Sequence, residues 1–360
     1  MNADFWRGKK VFLTGHTGFK GSWLTLWLRQ LGASVRAYSL PPPTNPSLYE
    51  RAGVGAELDS ITGDIRDHGP LAAAITGFAP DIILHLAAQS VVLSSYEDPI
   101  ETYSTNVVGT ASVLNAVRKL AGRCAVVNVT TDKVYQNQRW VWGYRENDEL
   151  GGRDPYSSSK ACAELVARAF RESYFSAAAG GERRIGIASA RAGNVIGGGD
   201  WTLHQLIPDT IEALSQGKPV VLRNPGAIRP WQHVLDCLSG YLTLAEALYE
   251  QPDRYADEWN FGPSDADMQP VSHVVEVLSR PWSVSPAWVR DPAAHPHEEM
   301  ELRLNSQKAI RELRWVCRLP LDTALAWTAE WFQRHGKGQD ARSLCTEQIT
   351  RYMQLGAAAR

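Results

Sequence analysis

The sequence predicts an α/β protein: a Rossmann-type, doubly wound parallel sheet with a smaller α/β C-terminal lobe. Two observations support this class. Short apolar runs of strand length alternate with longer segments that have helical spacing of large apolar residues, and the first of these runs ends in a glycine-rich turn. Alternating strands and helices favour a parallel sheet with the helices packed on its faces.

The first half of the chain contains most of the expected sheet. Strands are predicted at 9–14, 34–40, 81–86, 125–129 and 185–190. Helices are predicted at 22–31, 105–120 and 158–175. The apolar runs are short and bounded by turn residues, which is typical of strands.

The pattern changes after Arg191. A glycine-rich loop is expected first, then in order a helix, a strand and a long helix, at 193–201, 205–217, 219–222 and 231–250. After about residue 264 we expect short elements, rich in proline and tryptophan, and then a peripheral helix at the end, roughly 335–360. The predicted division is an N-terminal domain of 1–192 with 231–262 returning to it, a second lobe of 193–230 and 263–340, and a peripheral tail of 341–360.

Composition excludes some function classes. The 360 residues include 37 Lys+Arg and 39 Asp+Glu, a formal net charge of −2. This balance gives no electrostatic reason to bind nucleic acid or an anionic membrane. No apolar run approaches the ~20 residues of a membrane span, and the N-terminus does not resemble a signal peptide. Five scattered cysteines without a C-x-x-C pair predict reduced thiols and a cytoplasmic protein.

The glycine-rich turn after the first strand is the first candidate site. It reads Gly15-His16-Thr17-Gly18-Phe19-Lys20-Gly21 and opens a predicted helix. Glycines in this context permit a tight turn and close approach to a pyrophosphate, which the helix N-terminus favours electrostatically. Such a turn could also be simple punctuation, but Asp64-Ile65 at a later strand end favours a dinucleotide cofactor.

The second predicted strand leaves the type of dinucleotide open. It ends Tyr38-Ser39-Leu40, without the acid that usually binds the ribose. Ser39 can hydrogen-bond a ribose hydroxyl but cannot repel a 2′-phosphate. The pattern alone therefore permits NAD or NADP.

The second candidate site is Tyr156-x-x-x-Lys160, two side chains one helical turn apart. A nearby ammonium and a cationic nicotinamide would lower the pKa of the phenol, so that the tyrosine can accept a proton from a sugar hydroxyl. The alternative is a surface tyrosine and lysine on an amphipathic helix. The glycine-rich turn and the strand at 125–129 favour the catalytic interpretation.

Several motifs resemble those of the extended short-chain dehydrogenase/reductase family. They are Thr14–Gly21, Leu86-Ala87-Ala88-Gln89, Asn106, Thr131 and Tyr156/Lys160. Longer blocks resemble the CDP-glucose 4,6-dehydratases within that family, at 15–24, 96–110, 140–148, 151–167, 191–201 and 223–234. The resemblance implies NAD bound at residues 15–21, 39, 64–65, 86–89, 106, 156 and 160. It also implies a first domain for NAD, a second lobe for the nucleotide-sugar, and a homodimer or higher homo-oligomer.

The resemblance implies a redox-neutral reaction in deoxysugar biosynthesis, as for lipopolysaccharide O-antigen. Tyr156, with Thr131 beside it, would assist oxidation at C4 of the sugar by hydride transfer to NAD. Asp132, protonated by a raised pKa, would be the acid for the departing C6 hydroxyl. Lys133, where related TDP-glucose dehydratases carry a glutamate, would be the C5 base, and hydride would return to C6. Asp132-Lys133 could instead be a solvated pair at a strand end.

Four residues are candidates for substrate binding. Arg229 and, more weakly, Arg223 could bind diphosphate oxygens, since guanidinium binds phosphate in a bidentate way. Asn194 lies where family members present an amide to the nucleotide-sugar, and His297 could touch substrate. The arginines could equally pair with carboxylates, and Asn194 could only cap a turn. His295-x-His297-x-Glu299 has no usual zinc spacing, so no metal is predicted.

Two stretches differ from the family pattern. Leu93 replaces a usual arginine, and Tyr135-Gln136 is unusual after the Asp-Lys pair. We expect both near the sugar pocket, where they would affect substrate choice. Loop tryptophans at 140, 142, 201 and 231 could line a cleft or cover the core. The alternatives to a dehydratase are a nucleotide-sugar 4-epimerase, which needs no water-eliminating pair, and an inactive dinucleotide-sensing protein, which typically lacks Tyr/Lys.

Overall fold

The structure, a computed structural model, describes residues 2–56, 58–175, 185–293 and 300–357. Its strands are β1 Lys10–Thr14, β2 Ser34–Ser39, β3 Asp59–Thr62, β4 Ile82–His85, β5 Cys124–Val129, β6 Ile185–Ala192, β7 Val195–Ile196, β8 Val220–Leu222, β9 Ile228–Pro230, β10 Gln232–His233, β11 Glu258–Phe261, β12 Met268–Pro270 and β13 Trp288–Arg290.

The helices are α1 Ala3–Trp6, α2 Phe19–Gln30, α3 Leu48–Arg51, α4 His68–Phe78, α5 Val92–Glu97, α6 Pro99–Tyr103, α7 Gly109–Val117, α8 Pro155–Phe170, α9 Leu206–Ser215, α10 Val234–Glu250, α11 Pro252–Tyr255, α12 Val271–Ser279, α13 Gln307–Glu312, α14 Leu321–Gly336 and α15 Ala341–Ala357. Two π-helical turns, Ser104–Val108 and Arg171–Phe175, adjoin α7 and α8. Within the described residues, no helix has both the length and the apolarity that a membrane crossing requires.

Seven strands form one parallel sheet in the order β11-β6-β5-β4-β1-β2-β3. The strand order reverses between β1 and β4, so a crevice opens there at the carboxyl ends of the strands. Every residue of β4, β5 and β6 is buried, because helices cover both faces of the sheet. The predicted Rossmann-type α/β class is confirmed.

The two faces of the sheet support two hydrophobic clusters. Val11 and Leu13 of β1 point into the larger cluster, which also contains Trp23 and Trp27 of α2. Phe12, between them, points into the second cluster with residues of α4 and α7. This alternation follows from the two-residue period of a strand. The sheet is thereby a rigid base for the loops at its carboxyl edge.

Helix ends differ from the predictions for local reasons. The helix predicted to begin at 158 begins at Pro155, because Asp154 accepts a hydrogen bond from the Ser157 backbone N–H and proline suits the first turn. The expectation of short elements after residue 264 is wrong for α14, which has 16 residues. The helix expected near the end of the chain is present as α15, but its Tyr352 and Ile349 are buried. The tail expected to be peripheral therefore packs one face into the core.

Three pairs of short strands lie outside the main sheet. They are β10–β7 and β13–β8, both parallel, and β12–β9, antiparallel. Strand β11, Glu258–Phe261, lies in the segment 231–262 that was expected to return to the first domain. It pairs with β6 at the edge of the main sheet. The boundaries assigned to the two lobes from the sequence stay a prediction.

Candidate active site

A cavity of ≈ 570 Å³ lies at the carboxyl ends of β1, β4 and β5. Its wall includes most residues predicted from the sequence: Gly15, Thr17, Gly18, Phe19, Lys20, Gly21, Ser39, Asp64, Ile65, Leu86, Ala87, Ala88, Gln89, Thr131, Asp132, Lys133, Tyr156, Lys160 and Asn194. His16, Asn106, Arg223 and Arg229 are not in this wall. His297, like the rest of the HPHEE segment, lies outside the described residues.

The glycine-rich turn needs its glycines for space and for conformation. Gly15 has a φ of +79°, and a Cβ there would lie 2.7 Å from the backbone nitrogen of Ala87. A Cβ on Gly21 would lie 2.1 Å from the Gly15 carbonyl oxygen. Gly18 precedes α2, where no side chain caps the helix. The first turn of α2 therefore presents backbone N–H groups to the cavity, as an anion site requires.

Two polar positions lie near the ends of β2 and β3. The Thr17 hydroxyl donates to the carbonyl of Leu40 at 2.9 Å and lies 2.8 Å from Oγ of Ser39. Because Thr17 uses its proton on Leu40, Ser39 donates to Thr17 and keeps its own lone pairs free to accept. Asp64 pairs with Arg66 at 2.6 Å, and this hydrogen bond lowers the pKa of Asp64. Both side chains can accept hydrogen bonds from a ligand.

His16 and Asn106 belong to the predicted motifs but direct their side chains elsewhere. The His16 ring lies 2.8 Å from Ser60 Oγ, and burial lowers its pKa to about 4, so it is neutral at pH 7. Asn106 accepts from the Gln89 backbone N–H and donates to Ser159 Oγ. Its amide thus holds the loop after β4 against α8. These contacts make both side chains supports of the cavity.

Tyr156 and Lys160 lie on one buried face of α8. Burial raises the pKa of the Tyr156 phenol, and a hydrogen bond with Thr131 opposes this in part. The Lys160 ammonium donates to the Val129 carbonyl at 2.9 Å. Burial, followed by the charge of Lys20, lowers the pKa of Lys160 to about 7. Burial therefore raises the pKa of Tyr156 in the structure, and the lowering expected from an ammonium together with a cationic nicotinamide stays a prediction.

Asp132 and Lys133 follow β5 in a short helical turn. Asp132 is 1% exposed. Its Oδ1 accepts from the Thr131 hydroxyl at 3.0 Å, and burial raises its pKa. The half-buried Lys133 places its Nζ 5.9 Å from the centre of the Tyr156 ring. An acid-type carboxyl, an amine and a phenol thus share one wall of the cavity.

The substrate candidates are in different environments. Asn194 lines the cavity, and its carbonyl accepts from the Gln232 backbone N–H at 3.0 Å. Arg229 is buried in β9 beside β12, and its charge acts on Asp132. Arg223 is exposed after β8. The structure brings Asn194 to the cavity and Arg229 behind it, and leaves Arg223 at the surface.

Part of the cavity wall escaped sequence reasoning. Asp200, Thr202 and Gln205 line it. Burial raises the pKa of Asp200, whose carboxylate accepts from the Thr202 backbone N–H at 3.0 Å. The glycine-rich 193–201 loop was the available signal for this wall.

The prediction that Tyr135-Gln136 lies near the sugar pocket is wrong. Tyr135 is buried, stacks on Tyr144 at 5.0 Å and is not part of the cavity wall. Its hydroxyl donates to Asn260 Oδ1 at 2.7 Å. Leu93 is also outside the wall, although its neighbours Val91 and Val92 line it.

Of the four loop tryptophans, Trp231 alone lines the cavity. Trp201 packs on Trp331, and Trp140 packs on Trp142 and Tyr144. The described residues contain no group of three or more histidine, cysteine, aspartate or glutamate side chains arranged to hold a metal ion.

Comparison with known proteins identifies the family. The GDP-mannose 4,6 dehydratase family model matches residues 12–327. The CDP-glucose 4,6-dehydratase of Salmonella typhimurium is 48% identical over 353 residues, covering 98% of both chains. The structure of a dTDP-glucose 4,6-dehydratase from Streptomyces venezuelae, with NAD bound, has a TM-score of 0.71 at 25% identity and covers 92% of this chain and 99% of that one. That of the Bacillus anthracis dTDP-glucose 4,6-dehydratase in complex with NAD has a TM-score of 0.75 at 22% identity, covering 92% and 98%.

The chain therefore belongs to the GDP-mannose 4,6 dehydratase family, within the extended short-chain dehydrogenases/reductases. The predicted enzyme class, a nucleotide-sugar 4,6-dehydratase, is confirmed by the family and by the relative that matches almost the whole chain. The predicted cofactor, NAD, is the one bound in both of these solved structures.

Proposed function

We propose that the protein is an NAD-dependent CDP-glucose 4,6-dehydratase, which converts CDP-glucose to CDP-4-keto-6-deoxyglucose. The 48% identity to a CDP-glucose 4,6-dehydratase over 98% of the chain supports the substrate. The observation that carries the chemistry is the shared wall of Thr131, Asp132, Lys133 and Tyr156 in the cavity. An epimerase has no water to eliminate and no use for the acid–base pair.

The residues present fit NAD. Gly15 and Gly21 leave no room for a Cβ, while Gly18 meets nothing closer than 3.5 Å, so the turn is open on the side that a diphosphate would occupy. Ser39 would accept from a ribose hydroxyl, and Asp64 and Ile65 would hold the adenine end. NAD, when bound, would supply the oxidant for C4, the reductant for C6 and a positive charge beside Tyr156.

Tyr156 would accept the proton of the C4 hydroxyl, and Thr131 would share that hydrogen bond. Because burial disfavours the phenolate, its formation needs stabilisation inside the site. The Thr131 hydroxyl would supply a part by turning its proton from Asp132 Oδ1, which it reaches in the structure, to the phenolate. Lys160 holds the strand end through Val129 and, at pH values below its lowered pKa of about 7, adds positive charge.

Asp132 and Lys133 would perform the elimination. A ketone at C4 makes the C5 proton acidic, and the Lys133 amine would remove it. Asp132 would give its proton to the departing C6 hydroxyl, since burial favours its neutral form at higher pH than for an ordinary aspartate. The C6 hydroxyl leaves as water, so the intermediate carries a C5=C6 double bond. Reduction then adds hydride at C6, and a proton returns to C5 from the Lys133 ammonium.

Substrate binding would use the opposite wall. Asn194 would present its amide to the nucleotide-sugar, and Arg229 would contribute positive charge from behind Asp132. Arg223 and His297 stay candidates for diphosphate and sugar contacts. We also propose a cytoplasmic homodimer that acts in deoxysugar synthesis, as for lipopolysaccharide O-antigen. The family resemblance implies pairing through the helices at 105–120 and 161–175, and Leu165, in the second of these, is 51% exposed.

A panel of nucleotide-sugars tests the proposal. Purified protein, with and without added NAD, is incubated with CDP-, TDP-, UDP- and GDP-glucose, and the alkali-induced absorbance of a 4-keto-6-deoxy product is followed. Product from CDP-glucose at the highest kcat/KM supports the proposal. Product from another sugar nucleotide retains the reaction but rejects the substrate. C4 epimers in place of 4-keto product would reject the reaction.

A further inference from the structure

The end of β5 is fixed to α8 at two successive residues. Lys160 Nζ donates to the Val129 carbonyl at 2.9 Å, and the Thr130 hydroxyl donates to Glu164 Oε1 at 2.5 Å. Lys160 and Glu164 are one helical turn apart and continue the face that begins at Tyr156. The sequence motif therefore extends one turn further than Tyr156-x-x-x-Lys160.

Glu164 is itself held by a buried ion pair. Arg191 of β6 donates through Nε to both carboxylate oxygens, at 2.9 and 3.0 Å, and through Nη2 to Oε2. Both side chains are fully buried. A planar guanidinium that binds a carboxylate with two nitrogens fixes the direction of that carboxylate. The acceptor for Thr130 is thus rigid.

The same arginine also holds the other end of the loop that follows β5. Arg191 Nη1 donates to the Tyr135 hydroxyl at 2.7 Å and to the Glu146 carbonyl at 3.0 Å. Tyr135 in turn donates to Asn260 Oδ1 at 2.7 Å. The loop 130–135 is therefore tied at its first and last residues to one buried network, and this explains why Tyr135 points away from the cavity.

We propose that Glu164 and Arg191 are positioning residues for the loop 130–135. They hold its two ends through Thr130 and Tyr135, so that the acid and the base between them face the sugar in fixed directions. This role rests on the dehydratase function proposed above. Neither Glu164 nor Arg191 lines the cavity, so neither can act on substrate directly.

The reaction explains why the loop 130–135 would need to be held at both ends. The acid and the base are adjacent in the chain, yet they must reach oxygen on C6 and hydrogen on C5 of one sugar. A misplacement of about 1 Å can lower a rate by about 10²-fold. Anchoring at both ends restricts displacement of the acid and the base more than anchoring at one end.

Substitutions of Thr130 and Tyr135 remove the two anchoring hydroxyls and leave the buried Glu164–Arg191 ion pair intact. Thr130→Val removes the hydroxyl at nearly constant shape, and Tyr135→Phe removes the other hydroxyl. We expect kcat to fall by about tenfold or more in each, while KM and the Kd for CDP-glucose stay within about twofold. Thr130→Ser, which retains a donor, should recover most of the wild-type kcat.

A matched control separates positioning from stability. Tyr352 is also buried and donates to Asp236 Oδ1 at 2.7 Å, but it lies on α15 and does not line the cavity. Tyr352→Phe should leave kcat unchanged. Amide hydrogen exchange measured by mass spectrometry should show lower protection of residues 130–135 in Thr130→Val and Tyr135→Phe, and unchanged protection there in Tyr352→Phe.

Two results would overturn the proposal: wild-type kcat and wild-type protection in Thr130→Val, or an equal fall of kcat in Tyr352→Phe. A wild-type enzyme that acts on none of the nucleotide-sugars would instead reject the proposed function. The exchange experiment would still decide whether the network holds the loop.

Discussion

The Thr131 hydroxyl donates a 3.0 Å hydrogen bond to Oδ1 of Asp132, and Oδ2 of that carboxyl is buried without a hydrogen-bond partner among the described residues. Oδ2 lies 3.1 Å from the position that a Cβ on Gly193 would occupy, beside the loop that carries Asn194. Gly193 also lines the cavity, so a proton on Oδ2 would lie on the side of the carboxyl next to this loop. The arrangement suits an acid that donates once per turnover.

Asp132→Asn should lower kcat by about 10²–10⁴-fold, the usual contribution of a general acid. The Kd for CDP-glucose should change little, because the amide keeps the shape of the carboxyl. Product formation and calorimetric binding measure the two quantities, and Asp59→Asn, on the exposed end of the sheet, is the control. Wild-type turnover in Asp132→Asn would exclude the carboxyl as the acid.

The role of Asp132 as the acid predicts how kcat depends on pH. The acid must be protonated, and burial raises the pKa of Asp132 above its ordinary value of 3.8. The rate of elimination should therefore be retained below this raised pKa and decrease as pH rises through it. A pH–kcat profile in which Asp132→Asn lacks this alkaline decrease would support the assignment; an unchanged profile would contradict it.

Lys133→Met should stop removal of the C5 proton. In heavy water, product made by the wild type should carry deuterium at C5, detected by NMR, and the variant should form little product and exchange little C5 hydrogen of substrate. Lys119→Met, at an exposed lysine, should behave as the wild type. If Lys133→Met incorporates deuterium at the wild-type rate, another group is the base.

The lowered pKa of Lys160 predicts how the free energy of unfolding changes with pH. Its pKa falls from 10.5 in the unfolded chain to about 7 in the folded protein, because burial disfavours the ammonium. Between these values the unfolded state binds more protons, so the free energy of unfolding should increase as pH rises. We expect this increase from about pH 7 to about 8.5, below most ionisation of unfolded cysteine and tyrosine.

The measurement is urea unfolding of the wild type and Lys160→Met at several pH values in that range. The difference between the two proteins isolates the lysine from other titrating groups. The free energy of unfolding of the wild type minus that of Lys160→Met should become more positive as pH increases. A difference that stays constant over the range would contradict the lowered pKa.

Gly21→Ala should impair the cofactor turn. The added Cβ would lie 2.1 Å from the Gly15 carbonyl oxygen, and overpacking of this kind costs about 1–3 kcal/mol. The free energy of unfolding and the amount of NAD that copurifies should both decrease. Gly69→Ala, in a helix and with open space around the new Cβ, should have neither effect. Normal NAD content in Gly21→Ala would reject the glycine turn as the diphosphate site.

Local patterns in the sequence predicted the fold and one face of the site. The spacing of Tyr156 and Lys160 is a property of one helix, and the glycine turn is a property of one strand–helix junction. Both depend on neighbouring residues, so the pattern is visible without knowing the rest of the chain. The parallel sheet then brings the two motifs together at its carboxyl edge.

Contacts between distant segments escaped prediction. The role of Glu164 depends on Arg191, 27 residues later, and on Thr130, 34 residues earlier. Tyr135 contacts Asn260 across 125 residues, so its departure from the family pattern could not be placed from the sequence. His16 and Asn106 show that a motif gives the backbone path while the packing decides where a side chain points.

The most direct test of the proposed reaction follows one hydrogen. CDP-glucose with deuterium at C4 is converted in ordinary water, and the product is analysed by NMR and mass spectrometry. A 4,6-dehydratase should give CDP-4-keto-6-deoxyglucose with the deuterium at C6. Deuterium retained at C4 of an epimerised sugar, or deuterium lost to solvent, would contradict the account.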